Sequence, residues 1–303
     1  MELNEIDELR AMLPSGRTLF TYAKRQYSLQ LLRYALPAPT PVAALRQTFA
    51  APLLQKPEVK AVLAQCGKVL RRAALESHIA YLPMPEHYAL GLDIWAPRPG
   101  RQRAAQTSRP GANLVLQLNF SHAHNRAFER CVKPESRWEL NALAHPCLHD
   151  EREGRRYTLA WVRLDIDFDR GEALIEEIQT DWVRRAHCLY QRAQNIRARG
   201  KGSLPQGVRG DADGVIEYYE RYLMPHREHW DEAMLSAALF FLREELGMRD
   251  IWMHTPQSGA VLKRMHDRYW QPPVSLYTDL PQRFCFRKSE TLPGFLARER
   301  SAI

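Results

Sequence analysis

At 303 residues, with 45% apolar and 26% charged residues, the chain has the make-up of a globular protein that can bury a substantial core. Its net charge of +8 and pI near 9.3 favour a polyanionic partner such as nucleic acid, a phosphorylated cofactor or anionic lipid. No stretch offers the ~18 uninterrupted apolar residues of a membrane helix. The acidic start MELNEIDELRAML is no signal peptide, and Cys66, Cys131, Cys147, Cys188 and Cys285 form no CxxC pair, so a cytoplasmic protein with reduced thiols and no membrane contact is expected.

The amino-terminal region, residues 1–85, reads as helical. RTLFTYAKRQYSLQLLRYAL places Leu19, Tyr22, Tyr27, Leu31 and Leu32 at near-helical spacing, and the proline-rich PAPTP at 37–41 ends the run. Further helices are expected in PVAALRQTFAAPLL and, opened by Pro57, in KPEVKAVLAQCGKVLRRAALESHIA.

Residues 86–303 read as an α/β layer. YALGLDIWA (88–96) and NLVLQLNFS (113–121) are strand-like, and the loop between them is rich in proline, glycine and arginine. YTLAWVRLDIDF then alternates with Ala160, Val162, Leu164 and Ile166 on one face, DRG serves as a turn, and EALIEEIQTDW returns, giving a hairpin over 157–182. This register sets Val162 beside Ile178, Ile166 beside Leu174, and Arg163 opposite Glu177. A glycine-rich, basic stretch at 194–214 reads as a long loop, and VIEYYERYLM as a helix up to Pro225. Over 231–287 the order is helix, strand (RDIWMHT), short helix (SGAVLKRMH) and a last strand (PQRFCFR). The fold class is therefore α+β, with a helical amino-terminal half and a mixed-sheet layer.

Three constellations carry chemistry. Glu177, Gln179 and Asp181 share a strand face, with Arg163 opposite Glu177 and Trp161 and Asp165 nearby, and Trp182 adds to a mixture of acids, amide and indole common in ligand sites. Two carboxylates in one site repel, which raises one pKa and supplies a general acid or base. The alternative for this face is a solvated surface carrying an ordinary Arg163–Glu177 pair. Second, HTPQSGAVLKRM ends a strand at His254 and opens a helix at Ser258 and Gly259, where free amides with Lys263 and Arg264 would hold an anion; as the alternative, Ser258 is a plain N-cap. Third, His122 and His124 on one strand face, with His145, Cys147 and His149, are residue types that ligate zinc or iron, but their spacings match no established site and no metal is assigned. No GxxxxGK[ST] or GxGxxG motif occurs.

LIEEIQTDW, followed by Trp230, a long helix, ELG, a strand, HT…G and SLY…LP…F, resembles an uncharacterised bacterial family with an EIQ[ST]DW motif, related to segments of phage and mobile-element polyvalent proteins. The related segments read EIQSDW, and Thr180 stands where they have serine. A second resemblance, over 172–287, is to GNAT-like acyltransferases; it implies acetyl-coenzyme A or another acyl-coenzyme A as donor. The glycine-rich pyrophosphate loop of that family is absent before the helix at 231.

Three functions follow as expectations. In an acyl or related transferase, Glu177 would be the base, Asp181 its acidic neighbour and Gln179 an orienter. Trp182 and Trp230 would wall the pocket, with His254 or Tyr277 as proton donor. A nucleic-acid accessory protein would dock through the basic loops at 98–110 and 192–209. A partner-binding protein would expose an apolar stripe on 17–34 or 57–80. Substrate, donor and oligomeric state are not legible.

Overall fold

The alternating and apolar runs of the middle of the chain become the strands of one six-stranded sheet, seen in a computed structural model that describes residues 1–12, 18–36, 38–96, 106–135, 157–263 and 274–300. The strands are β1 (Thr18–Tyr22), β4 (Glu86–Trp95), β5 (Asn113–Asn119), β6 (Thr158–Asp167), β7 (Glu172–Gln179) and β8 (Asp250–Met253). A separate two-stranded ribbon pairs β2 (Thr40–Pro41) with β3 (Val69–Leu70). The large sheet runs β1-β4-β5-β6-β7-β8. Every neighbouring pair is antiparallel except β7 and β8, which are parallel. A parallel pair needs a long crossover. Residues 180–249 supply it as α6 (Asp181–Arg199), α7 (Ala212–Glu217) with its continuation to Arg227, and α8 (Trp230–Phe240).

Strand alternation sorts the sheet's two faces. Leu114, Leu116 and Leu118, then Ala160, Val162, Leu164 and Ile166, then Ile175 and Ile178, form a dry face. Helix α8 lies against β5, β6 and β7 and seals that face with Met234, Leu235 and Ala238; α2 (Tyr27–Tyr34) packs on α8 with Leu29 and Leu32. Truncating a leucine in this layer, such as Leu116→Ala, is a ~2–5 kcal/mol loss. Residues on both sides of the 85/86 boundary enter this one apolar core.

Several elements differ from expectation. The helix expected over 17–36 divides into β1 and α2 around a turn in which Arg25 has φ 67°. Gln26 secures that turn, accepting from the Ala23 N–H at 2.9 Å and donating to the Thr21 carbonyl at 3.2 Å. Phe20 and Tyr22 point inward while Leu19 is exposed, a period of two that near-helical spacing also satisfied. The last strand expected at 281–287 is the helix α10 (Asp279–Arg283), held down where Arg283 clasps Asp231 and Glu232 at 2.5 Å each and Phe284 stacks on Tyr27. The first six residues of the loop expected at 194–214 are helix, since α6 runs to Arg199 before Gly200 turns at φ 63°. Helix formation also continues past Pro225, because the π-helical turn Tyr218–Leu223 shifts the hydrogen-bond frame ahead of the proline that lacks a donor. His122 and His124 lie on helix α5 (His122–Val132), not on a strand, because Ser121 caps it by accepting from the His124 N–H.

Candidate functional site

The second face of the sheet is polar, and the strand register arranges it in rows. Gly91, Gln117, Trp161 and Gln179 lie side by side across β4 to β7, and Asp93, Val115, Arg163 and Glu177 form the next row. The pairs Val162–Ile178 and Arg163–Glu177 fall where the sequence sets them. Beyond them the register changes: Leu164 faces Ile175 and Ile166 faces Ala173, so Glu176 is an extra residue, a β-bulge. The bulge brings two consecutive glutamates to one place.

The bulge coincides with a fork. Pairing between β7 and β8 ends at Ile175 and Met253, and β7 continues over 176–179. His254, Lys263, Glu176, Glu177 and Arg163 fill the mouth of this fork. Arg163 is fully buried, pairs with Glu177 at 2.5 Å and lies 4.6 Å over the Trp95 ring. The Lys263 ammonium donates to the Glu176 carbonyl and stands 3.8 Å from the Glu176 carboxylate and 3.9 Å from that of Glu177. Burial alone would raise Glu176, but the hydrogen bond with His254 and the charges of Lys263, His254 and Arg163 outweigh it and hold its pKa at about 2. Glu177 is lowered as well, burial being overcome by Arg163 and Lys263. Burial, aided by Arg163, pulls Lys263 below its ordinary value against the opposing pull of the two glutamates.

Ser108, from a segment the sequence assigns to a basic loop, completes the cluster. Its N–H and O–H donate to Glu176 at 2.8 and 2.9 Å, and its Oγ lies 2.8 Å from His254 Nε2. His254 Nε2 is also 3.1 Å from Glu176, while Nδ1 meets Ser258 Oγ at 3.2 Å. An ionised carboxylate only accepts, and the Ser108 proton is given to it. Nε2 therefore carries a hydrogen in either protonation state, and cannot take the proton of Ser108. A serine–histidine–acid relay needs the acid on the other ring nitrogen. This cluster is not one.

The remaining expected site residues divide. Gln179 donates to Asp181 at 3.2 Å, Trp161 Nε1 donates to it at 3.4 Å, and Arg184 at 2.6 Å. Asp181 thus joins the polar face although it opens α6 and is not on the strand; Thr180 caps that helix, accepting from the Val183 N–H and donating to the Leu159 carbonyl. Tyr277 is buried, its hydroxyl has no partner, and burial together with Glu177 and Glu176 pushes its pKa far up, so it stays protonated. Trp182 does not wall this face. It lies in the aromatic core among Phe120, Phe128 and Tyr157, and donates to Tyr218 at 2.7 Å. Trp230 opens α8 and packs against the apolar core.

The cofactor contacts expected at Ser258, Gly259 and Lys263 are used internally. Thr255 and Ser258 close the amino end of α9 (Pro256–Leu262) with a capping box, Gly259 packs on the His254 ring, and Lys263 turns into the carboxylates. Among the described residues of the basic loops, Arg109, Arg192 and Arg197 have partners. Arg109 grips the buried Asp165 at 2.6 and 2.8 Å and lies over Phe295; Asp165 also meets the Met1 amino group at 3.1 Å. Arg192 donates to the Ser203 carbonyl, and Arg197 faces Asp213. Residues 97–105, with the arginines of the first loop that precede Arg109, lie outside the described residues, as do His145, Cys147, His149 and Arg264. Among the described residues no cluster of His, Cys, Asp and Glu is arranged to hold a metal ion, and no helix is long and apolar enough to cross a membrane. The apolar stripe expected on 17–34 is consumed by the core, where Tyr27, Leu29, Leu31 and Leu32 are buried.

Glu176, Ser108, Asp165 and Gln117 are among the polar residues of this face that the sequence did not single out for a role. A bulge leaves no mark in an alternating pattern, and Ser108 is an ordinary loop residue until the chain folds over β7. In comparison with known proteins, the chain matches no family model, no curated protein and no solved structure.

Proposed function

We propose that the fork between β7 and β8 is the substrate site of a transferase of the acyl-transfer kind, with an acyl-coenzyme A as donor and an amine as acceptor. The supporting observation is the fork itself: a parallel pair that ends at Ile175 and Met253 beside a bulge, with charged groups and an unpartnered buried phenol at its mouth.

In this reading the amine nitrogen bonds to the thioester carbonyl carbon and the carbon–sulfur bond breaks. The departing sulfur accepts a hydrogen bond from the Tyr277 hydroxyl, which stays protonated, and takes the proton that Glu177 has collected from the amine. The proton shed by the amine passes to Glu177. The low pKa of Glu177 makes it a transient relay, with Arg163 fixing its orientation. Glu176 and His254 act as positioning residues. They hold the bulge and Lys263 in place without touching the reacting atoms.

The test is calorimetric titration and a thermal-shift series with acetyl-coenzyme A on wild type, Glu177→Gln and Tyr277→Phe, with short single- and double-stranded DNA at two salt concentrations as parallel arms. Saturable binding of the donor, with thiol release on adding an amine that falls at least tenfold in Tyr277→Phe, supports the reading. No donor binding, or turnover indifferent to both substitutions, removes it. Stabilisation by DNA alone, abolished by salt, would replace it with the nucleic-acid reading.

A further inference from the structure

The row beside the charged one holds an unfilled bonding position. Gln117, on β5, is 6% exposed, and its Nε2 has no hydrogen-bond partner. An unsatisfied buried donor is rare and costly, and calls for an explanation. The neighbouring residues are arranged around this amide. On one side, a β-carbon at position 91 would stand 2.8 Å from Asn119 Nδ2 and 3.2 Å from Gln117 Oε1, so glycine there makes room for two amide side chains. On the other side lies Trp161, whose ring is stacked on Trp95 at 5.7 Å and 19°. Beyond Trp161 comes Gln179, bonded to Asp181.

The charges next to this row are already matched. Asp181 accepts from Trp161, Gln179 and Arg184, and Arg184 is committed to it. Among the described residues, neither a cation nor an anion would find an opposite charge here that is not already engaged. What the row offers is one amide N–H beside an indole. It calls for an acceptor oxygen on an uncharged molecule.

We infer that Gly91, Gln117, Trp161 and Gln179 form a recognition subsite for a neutral, acceptor-bearing group, an amide carbonyl or a sugar hydroxyl, received by the Gln117 N–H. Lying one row from Glu177, the subsite takes the non-reacting part of the acceptor substrate. That role rests on the proposed transfer reaction, whereas the existence of the subsite does not.

The experiment is a titration followed by tryptophan fluorescence and thermal shift, with N-methylacetamide (amide only), glucose (hydroxyl only) and N-acetylglucosamine (both) as probes. Wild type is compared with Gln117→Leu and the closer-shaped Gln117→Met. A saturable response to at least one probe, weakened at least tenfold in whichever variants fold, establishes the subsite, and the probe that works tells amide from hydroxyl. No response to any of the three, or the same response in wild type and variants, overturns it and leaves the N–H to a structural water. Success here with failure of the acetyl-coenzyme A titration would keep the subsite and remove the acyl-transfer reading. The reverse result would do the opposite.

Discussion

His254 Nε2 lies 3.1 Å from Glu176 Oε2 across the mouth of the β7–β8 fork, one residue beyond the last paired position of each strand. The contact joins two strands at the point where backbone pairing stops. It also makes Glu176 the centre of the buried charge cluster, since Ser108, Lys263 and His254 all reach it.

Replacing Glu176 by alanine leaves Lys263 and Arg163 with one carboxylate between them. Removing one partner from a buried ionic cluster typically costs ~3–5 kcal/mol, and that loss is expected in urea denaturation. Adding Lys263→Met to Glu176→Ala should recover part of it, because the second change removes the charge that the first left unmatched. Strict additivity would show that the two side chains do not depend on each other.

Ser108→Ala removes a hydroxyl that donates to Glu176, while the backbone N–H of residue 108 keeps its bond. A stability loss of ~0.5–1.5 kcal/mol is expected, with any transfer activity retained. Complete inactivation without unfolding would make Ser108 a nucleophile and contradict the proton placement argued for His254.

Stability should fall with acid in two overlapping steps. Burial lowers His124, His226 (to about 3) and His229, so these rings are neutral in the folded protein, while the unfolded chain binds protons below the ordinary value of 6.5. Their contribution is therefore complete above pH 6.5 and is lost as pH falls toward 3. Glu176 and Glu177, lowered from 4.5, add a second loss below pH 4.5, down to about 2 for Glu176. Glu86 and Glu232, raised chiefly by burial, act in the opposite sense over the acidic range. Melting temperature measured from pH 8 to pH 3 checks this. In His226→Gln the slope between pH 6.5 and 4 should be shallower, by at most ~1.4 kcal/mol per pH unit. An unchanged slope would mean that this ring is not buried neutral.

Gly214→Ala should cost more than Gly200→Ala. A β-carbon at 214 would lie 2.5 Å from the Cys131 carbonyl oxygen, a backbone atom that cannot move aside, whereas at 200 it meets nothing and the residue has only its φ of 63° to contend with. Losses of ~1–3 kcal/mol or more and of ~1–2 kcal/mol respectively are expected by chemical denaturation. Equal losses would mean that α7 can back away from the end of α5.

The hairpin was the most legible element because Val162, Leu164 and Ile178 carry a strict alternation that a slip would destroy. What alternation could not reveal was the bulge, so Glu177 was read as the chemical residue while the equally acidic Glu176 became the centre of the cluster. His254 was placed opposite the acids from chain order alone, by the rule that loops leaving a parallel strand carry ligands, and it does meet Glu176. The site roles given to Trp182 and Ser258 did not survive folding for a common reason: indole and hydroxyl serve as readily inside a core or a cap as in a pocket, and only tertiary packing decides which. Phe284 and Phe286 alternate like a strand, but Phe284 stacks on Tyr27 at the end of a short helix. The α+β class was visible because it rests on the order of elements and not on their edges.

The extra residue in β7 gives this region an unusual relation between composition and arrangement. Ordinary substitutions there would be read as changes of side chain. Removal of the one extra residue, Glu176, would instead restore an unbroken ladder, with Glu177 still opposite Arg163 and Ile175 and Ile178 still on the dry face under α8. The chain would keep a carboxylate beside the arginine, and would lose the second one, on which the serine, the histidine and the lysine converge.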